Sequence, residues 1–190
     1  VYKRQTITLG YRDASVPFSY LGDNSGQPMG YSVELAGKVV ERIRQRLGKP
    51  DLAVKYNLVT SQTRIPLVQN GTVDLECGST GVTAERLKQV AFSYGFIYVK
   101  GQLLTAKDSG IQGFDDLKGK NVVTTAGTTN ERYLKAYNAE HKLGMNVVSA
   151  KDHGEAFLML QSGRAVAFYM DDALLYGEKA KARDPHHWVV

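Results

Sequence analysis

Residues 121–129 read NVVTTAGTT, a strand pattern followed by a turn and the start of a helix. Its first five residues are the apolar and β-branched residues of a buried strand. A turn at Ala126 and Gly127 follows, and a helical segment through Tyr133 and Tyr137 comes after it. A strand that leads through a short turn into a helix is the building unit of a parallel sheet covered by helices.

The same unit occurs along the rest of the chain. Six strands are predicted, at residues 6–11, 54–59, 73–77, 121–125, 146–149 and 165–170. A loop is predicted at residues 22–26, and the longest helix at residues 33–47, with Ser32 as its N-cap and with Gly48 and Pro50 ending it. The alternation of strands and helices predicts an α/β fold with mostly parallel sheets.

The strand and helix pattern restarts after an extended apolar stretch at residues 96–105, which predicts two lobes. We expect lobe 1 at residues 1–98, a hinge crossover at 99–105, lobe 2 at 106–186 and the start of a return crossover at 187–190. Lobe 1 is expected to lack its C-terminal return, because the sequence stops where that return begins.

The composition is typical of a folded globular chain. Of 190 residues, 43% are hydrophobic and 23% are charged, which excludes a disordered, collagen-like or coiled-coil protein. No uninterrupted apolar stretch approaches the roughly 20 residues of a membrane-spanning helix. The single cysteine, Cys77, excludes an internal disulfide, and CxxC and HExxH spacings are both missing, so no metal is expected.

The net charge of +5 invites a nucleic-acid interpretation, which the distribution of charge does not favour. Acidic residues such as Glu34, Glu41 and Glu178 are interleaved with the lysines and arginines, so no one-sided basic stripe is visible. A modest positive field favours small anions instead.

Ligands of open α/β sheets bind beyond the carboxyl ends of the strands. The predicted strand ends and the turns after them carry Arg12, Ser61, Arg64, Ser79, Thr80, Thr128, Thr129, His153 and Asp171. Arg12, Arg64 and Arg86 would repel one another in a partly dry cleft without an anion between them. Backbone N–H groups after Gly81 and Gly127 can add to the same anion site.

Asp171 is the one carboxylate of this set, and it needs a cation, of which an ammonium is the simplest. The predicted site thus has more positive than negative groups, and its one carboxylate can bind an amine. The ligand that matches this distribution of charge is a small amino acid that carries an extra carboxylate. Glutamate or aspartate fits this description.

Several of these residues have a structural alternative as a helix cap or a satisfied buried polar group, namely Ser61, Thr83, His153, Asp171 and Asp172. Of these, Thr83 is interpreted as a cap. Cys77 lies in an apolar strand pattern and is interpreted as a small hydrophobic residue rather than a nucleophile. Residues 127–129 match neither GxxxxGK[ST] nor GxGxxG, so ATP and NAD are not supported and no cofactor is expected.

Six segments resemble one known family in order and spacing: RDASVPFSY (12–20), TSQTRIPLVQNG (60–71), ECGSTGVTAER (76–86), AGTT (126–129), SAKDHG (149–154) and GRAVAFYMDDALL (163–175). The family is that of the periplasmic glutamate/aspartate-binding proteins of bacterial ABC transporters. The likeness runs from about Thr6 to Val190, and SAKDHG with AFYMDD is narrower than a general solute-binding signature. It implies the type II periplasmic binding protein fold, whose two lobes close on an amino acid.

The resemblance also implies a role for individual residues. The α-carboxylate is bound by Arg86 with backbone N–H groups at Gly81 and Thr129. The α-ammonium is bound by Asp171 and the Ser79 region. The side-chain carboxylate, which separates acidic from other ligands, is held by Arg12, Ser61, Arg64 and His153.

The sequence departs from the family in two respects. Gly81 stands where the family often has a hydroxyl residue, so one hydrogen bond to the ammonium is expected to be missing or replaced by water. Family members continue past the position of Val190, so the sequence is interpreted as a fragment. Residues 1–5 do not resemble the family.

The leading hypothesis is a binding protein without chemistry that captures L-glutamate or L-aspartate in an interlobe cleft and delivers it to the membrane permease of an ABC transporter. A periplasmic location after removal of a signal peptide that this sequence lacks, and a monomeric state, are expected from the family. Two alternatives stay open at this point. One is a dehydratase-like enzyme on the same fold, with His153 and Asp171 or Asp172 as acid and base. The other is the sensor lobe of a receptor.

Overall fold

The computed structural model describes residues 5–22 and 26–190. The chain divides into two compact units: unit 1 ends at Gly95, and unit 2 begins at Phe96. Residues 23–25 of the predicted loop, and residues 1–4 of the segment without family resemblance, lie outside the described residues. Each unit has the α/β structure that the sequence predicts.

Unit 1 is built on a parallel three-stranded sheet. Its order is β5-β1-β6, with β1 at Thr6–Tyr11, β5 at Ala53–Leu58 and β6 at Leu75–Glu76. Leu9 on β1 is 2% exposed because it packs against the first helix. Since all three strands run parallel, their carboxyl ends lie at one edge of the sheet.

The helices and the small second sheet of unit 1 surround this core. The helices are α1 (Tyr31–Leu47), α2 (Arg64–Gln69) and α3 (Ala84–Leu87). An antiparallel sheet that the sequence did not predict joins β2 (Ala14–Ser15), β3 (Ser19–Leu21) and β4 (Pro28–Met29). Its strands are too short for a periodic pattern to indicate them.

Helix α1 follows Gly30, and the predicted N-cap Ser32 is wrong. Gly30 occupies the cap position with φ of 116°, and the Ser32 hydroxyl donates to the carbonyl of Gly78 at 2.8 Å. A partner so distant in the sequence leaves no local signal. The predicted end is confirmed, because Gly48 adopts the left-handed conformation with φ of 59°.

Gly30→Ala is expected to lower the free energy of unfolding by about 3 kcal/mol, through backbone strain and a steric clash. A methyl group at this positive φ would lie 2.6 Å from the carbonyl oxygen of Phe18. Gly37→Ala is the matched control, since Gly37 lies inside α1 with nothing within 4 Å of an added methyl group, and a gain of about 0.5–1 kcal/mol is expected. Urea unfolding measures both; a Gly30→Ala variant as stable as the parent would contradict this account.

Unit 2 contains a five-stranded mixed sheet with the order β11-β7-β10-β8-β9. Its strands are β7 (Gly101–Ala106), β8 (Asn121–Thr125), β9 (Asn146–Ala150), β10 (Ala167–Asp171) and β11 (Trp188–Val189). Strands β10, β8 and β9 run parallel, whereas β7 and β11 are antiparallel to their neighbours. The carboxyl ends of the three parallel strands therefore share one edge.

Helices pack on the sheet of unit 2 and complete its core. They are α4 (Thr129–Glu140), α5 (His153–Gln161) and α6 (Asp172–Lys181), with short 3-10 turns at Phe114–Leu117 and Pro185–His187. Leu134 on α4 is fully buried against Val122 of β8 and Leu117, which fixes α4 on the sheet. In the described part of the chain, no helix has the length and apolar character to cross a membrane.

The predicted lobe boundaries stay a prediction. The segment expected to form a hinge crossover, residues 99–105, overlaps β7, which pairs with β10 inside unit 2. The segment expected to begin a return crossover, residues 187–190, overlaps β11, which pairs with β7.

Candidate functional site

Arg12 follows β1 directly at the carboxyl edge of unit 1 and is completely buried. The hydroxyl of Ser19 fixes its backbone, accepting from the Arg12 N–H at 2.8 Å and donating to the Arg12 carbonyl at 3.2 Å. A methyl group at Gly78 would lie 2.9 Å from Cγ of Arg12, so the glycine leaves room for this side chain. Arg12 was predictable from the sequence, whereas Ser19 was not, because it lies on a strand too short to predict.

Ser61 and Arg64 follow β5, the neighbour of β1, and both are buried, at 4% and 3% exposed. Thr60 and Thr63 stabilise this turn, because the hydroxyl of each accepts from the backbone N–H of the other, at 2.9 and 3.2 Å. Helix α2 has Thr63 as its N-cap residue, so the alternative that Ser61 caps this helix is wrong. The Ser61 hydroxyl is buried without a hydrogen-bond partner among the described residues.

The loop after β6 carries Ser79, Thr80 and Gly81. Glu76 orders it, since the Thr80 hydroxyl donates to Oε2 of Glu76 at 2.7 Å. That bond uses the hydroxyl proton and leaves the Thr80 oxygen as an acceptor, which suits an ammonium. Ser79 is half-buried, and Gly81 is exposed.

Arg86 lies on the short helix α3 and is held by its own loop. Its Nη1 donates to the Gly81 carbonyl at 2.8 Å, and its backbone N–H donates to the Thr83 hydroxyl at 3.1 Å. The second bond confirms Thr83 as the N-cap of α3. The first restrains a guanidinium that presents five N–H donors in a planar fork.

In unit 2, Thr128 and Thr129 connect β8 to α4. Thr128 is the N-cap: its hydroxyl accepts from the Glu131 N–H at 3.0 Å and donates to the Thr125 carbonyl at 2.7 Å. Oε2 of Glu131 accepts from the Gly127 N–H at 2.7 Å, so the turn is closed from both sides. Hydrogen bonds from Lys135, Ser149 and Gly127 lower the pKa of Glu131 against the opposing effect of its burial.

His153 begins α5, after β9, and is 1% exposed. Its Nδ1 lies 2.7 Å from Oγ1 of Thr125, the last residue of β8. Thr125 thus orients the imidazole from the neighbouring strand. This role of Thr125 was not predictable from the sequence, because only the pairing of β8 with β9 brings the two residues together.

Asp171 ends β10, and its carboxylate forms no capping hydrogen bond to α6. The alternative that this side chain caps the following helix is therefore wrong. Nδ2 of Asn130, in the first turn of α4, donates to Oδ1 of Asp171 at 2.9 Å. Oδ1 of Asp172 instead accepts from the backbone N–H of Ala173 at 2.8 Å and from that of Lys100 at 3.3 Å.

Cys77 packs against the apolar cluster of Leu9, Ala36 and Val40, as its interpretation as a hydrophobic residue predicted. Burial, and secondarily the charge of Glu76, raises the pKa of the Cys77 thiol to about 12. The native chain is expected to react at least about 100-fold more slowly with iodoacetamide at pH 8 than the urea-unfolded chain, because the thiolate is the reactive form. Rates measured by mass spectrometry test this; equal rates would contradict the burial of Cys77.

The predicted residues thus fall into two groups. In unit 1, Arg12, Ser61, Arg64, Ser79, Thr80, Gly81 and Arg86 follow parallel strands that end at one edge. In unit 2, Thr128, Thr129, His153 and Asp171 do the same. Their roles toward a ligand stay predictions.

Two α/β units with polar side chains at the carboxyl edges of their sheets match the type II periplasmic fold of amino-acid-binding proteins, as solved structures show. An ancestral arginine-binding protein bound to arginine superposes with a TM-score of 0.84 at 28% identity, covering 99% of this chain and 79% of that one. The family model for bacterial extracellular solute-binding proteins, family 3, matches residues 7–180, and the chain belongs to this family.

Two curated relatives are more similar in sequence. The L-glutamate/L-aspartate-binding protein of Pseudomonas aeruginosa is 68% identical over 97% of this chain and 61% of its own length. The glutamate/aspartate import solute-binding protein of Salmonella typhimurium is 53% identical over 100% of this chain and 63% of its own length. The resemblance predicted from the sequence is confirmed, and the chain spans about three fifths of the length of these relatives.

Proposed function

We propose that this protein binds L-glutamate and L-aspartate in the periplasm and delivers them, as a monomer, to the membrane permease of an ABC importer. The observation that carries the proposal is the burial of two guanidinium groups, Arg12 and Arg64, at one edge of the unit 1 sheet. The names of the two curated relatives support the same ligands, and one of these names includes import.

The physical argument concerns the charge on the ligand side chain. Two buried guanidinium groups beyond neighbouring strands raise the local positive potential, and a carboxylate lowers the energy of that arrangement. The buried Ser61 hydroxyl costs about 1–3 kcal/mol while it lacks a partner, which a ligand carboxylate would recover. A neutral side chain, such as that of glutamine, offers no such compensation.

The remaining residues keep the roles that the resemblance implies. Arg86 and the backbone N–H groups at Gly81 and Thr129 are proposed to bind the α-carboxylate, and Asp171 with Ser79 and Thr80 the α-ammonium. His153 is proposed to join Arg12, Ser61 and Arg64 at the side-chain carboxylate.

A thermal-unfolding panel of the twenty amino acids tests the ligand class. A ligand that binds only the folded chain raises the melting temperature, by about 5 °C or more at a concentration of about 100 times Kd. We expect this rise for L-glutamate and L-aspartate and little change for L-glutamine and L-arginine. A rise for L-arginine alone would overturn the proposal.

The relatives are binding proteins, and we propose that this chain likewise performs no chemistry on its ligand. Incubation of L-glutamate with the protein, followed by proton NMR, is expected to leave the amino acid unchanged after many hours. Formation of any product, if abolished by His153→Ala, would favour the enzyme hypothesis instead.

A further inference from the structure

Asn130 lies in the first turn of α4 and is 6% exposed. Its Nδ2 lies 2.9 Å from Oδ1 of Asp171 and 3.4 Å from the sulfur of Met170. Both of these residues are on β10. The amide thus reaches from the helix that follows β8 to the end of the neighbouring strand.

The surroundings restrict the position of the Asn130 amide. Gly101 of β7 pairs with Asp171, and a methyl group at Gly101 would overlap the Tyr169 hydroxyl and lie 3.1 Å from Oδ1 of Asn130. The absence of a side chain at Gly101 therefore makes room for both groups. A buried side chain packed in this way has few alternative rotamers.

An amide differs from a lysine or arginine as a partner for Asp171. It donates a hydrogen bond to one carboxylate oxygen without contributing a positive charge, so it orients Asp171 without neutralising the carboxylate. Asn130 also follows Thr129 directly in the chain, and the Thr129 N–H is proposed to bind the α-carboxylate. One residue therefore links the two groups proposed to bind the ammonium and the carboxylate of the same amino acid.

We propose that Asn130 is a positioning residue that fixes the Asp171 carboxylate relative to the first turn of α4 and so sets the spacing for the α-ammonium and α-carboxylate of the ligand. This inference rests on the proposed function. Asn130 is not assigned a contact with the ligand; it acts through Asp171.

Asn130→Ala is expected to weaken L-glutamate binding about tenfold, measured by isothermal titration calorimetry at pH 7, because a hydrogen bond to a charged group is lost. Asn138→Ala is the matched control on the same helix. The Asn138 side chain bonds the backbone of Met145, at 3.0 and 2.9 Å, and its loss is expected to lower the melting temperature and leave Kd unchanged. Asn130→Asp, which keeps the size and replaces the donor by an acceptor, is expected to weaken binding further.

The pH profile of binding separates positioning from a purely structural role. Without the donor, Asp171 takes up a proton more readily, so the acid limb of glutamate binding is expected to shift to higher pH in Asn130→Ala but not in Asn138→Ala. The ionisable groups near Asp171 include Tyr169 on its own strand, Tyr133 stacked on Tyr169 at 5.9 Å, and Asp172 at the start of α6. They also include Lys100, which precedes the Gly101 that pairs with Asp171. Burial, then Tyr133 and Asp171, raises the pKa of Tyr169 to about 12, so Tyr169 keeps its proton throughout the acid range.

The outcomes are distinct. Unchanged Kd and an unchanged acid limb in Asn130→Ala, with the wild-type chain binding L-glutamate, would overturn the positioning role alone. Equal losses of affinity for L-glutamate in Asn130→Ala and Asn138→Ala, without a shift of the acid limb, would show a purely structural role for Asn130. This result would also overturn the positioning role. A wild-type chain that binds neither L-glutamate nor L-aspartate would overturn the proposed function and this inference together.

Discussion

Arg86→Ala is expected to abolish binding of L-glutamate and L-aspartate, with Kd raised at least about 100-fold. Removing one partner of a hydrogen-bonded charge pair costs about 2–5 kcal/mol, and the α-carboxylate is common to every amino acid. The Gly81 carbonyl restrains the Arg86 guanidinium in advance, so little side-chain entropy is lost on binding. Isothermal titration with both ligands measures the loss.

The control for this prediction is Arg42→Ala, since Arg42 is an exposed arginine on α1 that donates to Gln45. It is expected to leave Kd unchanged. Arg86→Ala is also expected to leave the melting temperature of the ligand-free chain nearly unchanged. Helix α3 is short, and the Thr83 cap bonds the backbone N–H of residue 86, which alanine retains. An Arg86→Ala variant that binds L-glutamate with the wild-type Kd would contradict the assignment of the α-carboxylate.

Arg64→Met is expected to weaken L-glutamate binding at least about 30-fold and to have little effect on any residual binding of L-glutamine. Arg64 is 3% exposed, so methionine is preferable to alanine because it fills most of the same volume. The substitution removes the guanidinium proposed to meet the side-chain carboxylate, while the groups proposed for the α-carboxylate and ammonium remain. The test is the ratio of the Kd values for L-glutamate and L-glutamine, because a change in this ratio reports selectivity for the acidic side chain.

Thr63→Ala serves as the matched control for Arg64→Met. It removes a hydroxyl from the same turn, where Thr63 bonds Thr60, and is expected to lower stability without changing the ratio of Kd values for glutamate and glutamine. Equal losses for the two ligands in Arg64→Met would show that Arg64 does not select for the acidic side chain.

Much of the fold was predictable because its signals are local. The strand at residues 6–11 and the strand at residues 121–125 have the bounds that the sequence analysis gave. Thr83 and Gly48 were predicted correctly because a cap acts within a few residues of its own position. The general rule for open α/β sheets also predicted at which edge of the sheet the polar residues after each parallel strand would lie.

The positions that were missed depend on partners distant in the chain. Asn130 and Asp171 are 41 residues apart, and Thr125 and His153 are 28 apart. Serine is a residue type typical of helix N-caps, yet the Ser32 hydroxyl donates to the carbonyl of Gly78, 46 residues away. A single sequence carries the chemistry of each of these residues, but only the strand order shows which of them meet.

The most direct test of the central claim is isothermal titration of the chain with L-glutamate and L-glutamine, which share their size and their α-groups and differ in the side-chain charge. The proposal predicts saturable one-to-one binding of L-glutamate, with L-glutamine at least about 100-fold weaker, because the carboxylate, unlike the amide, brings a negative charge to the buried Arg12 and Arg64. Equal affinities for the two ligands, or no heat with L-glutamate, would contradict it.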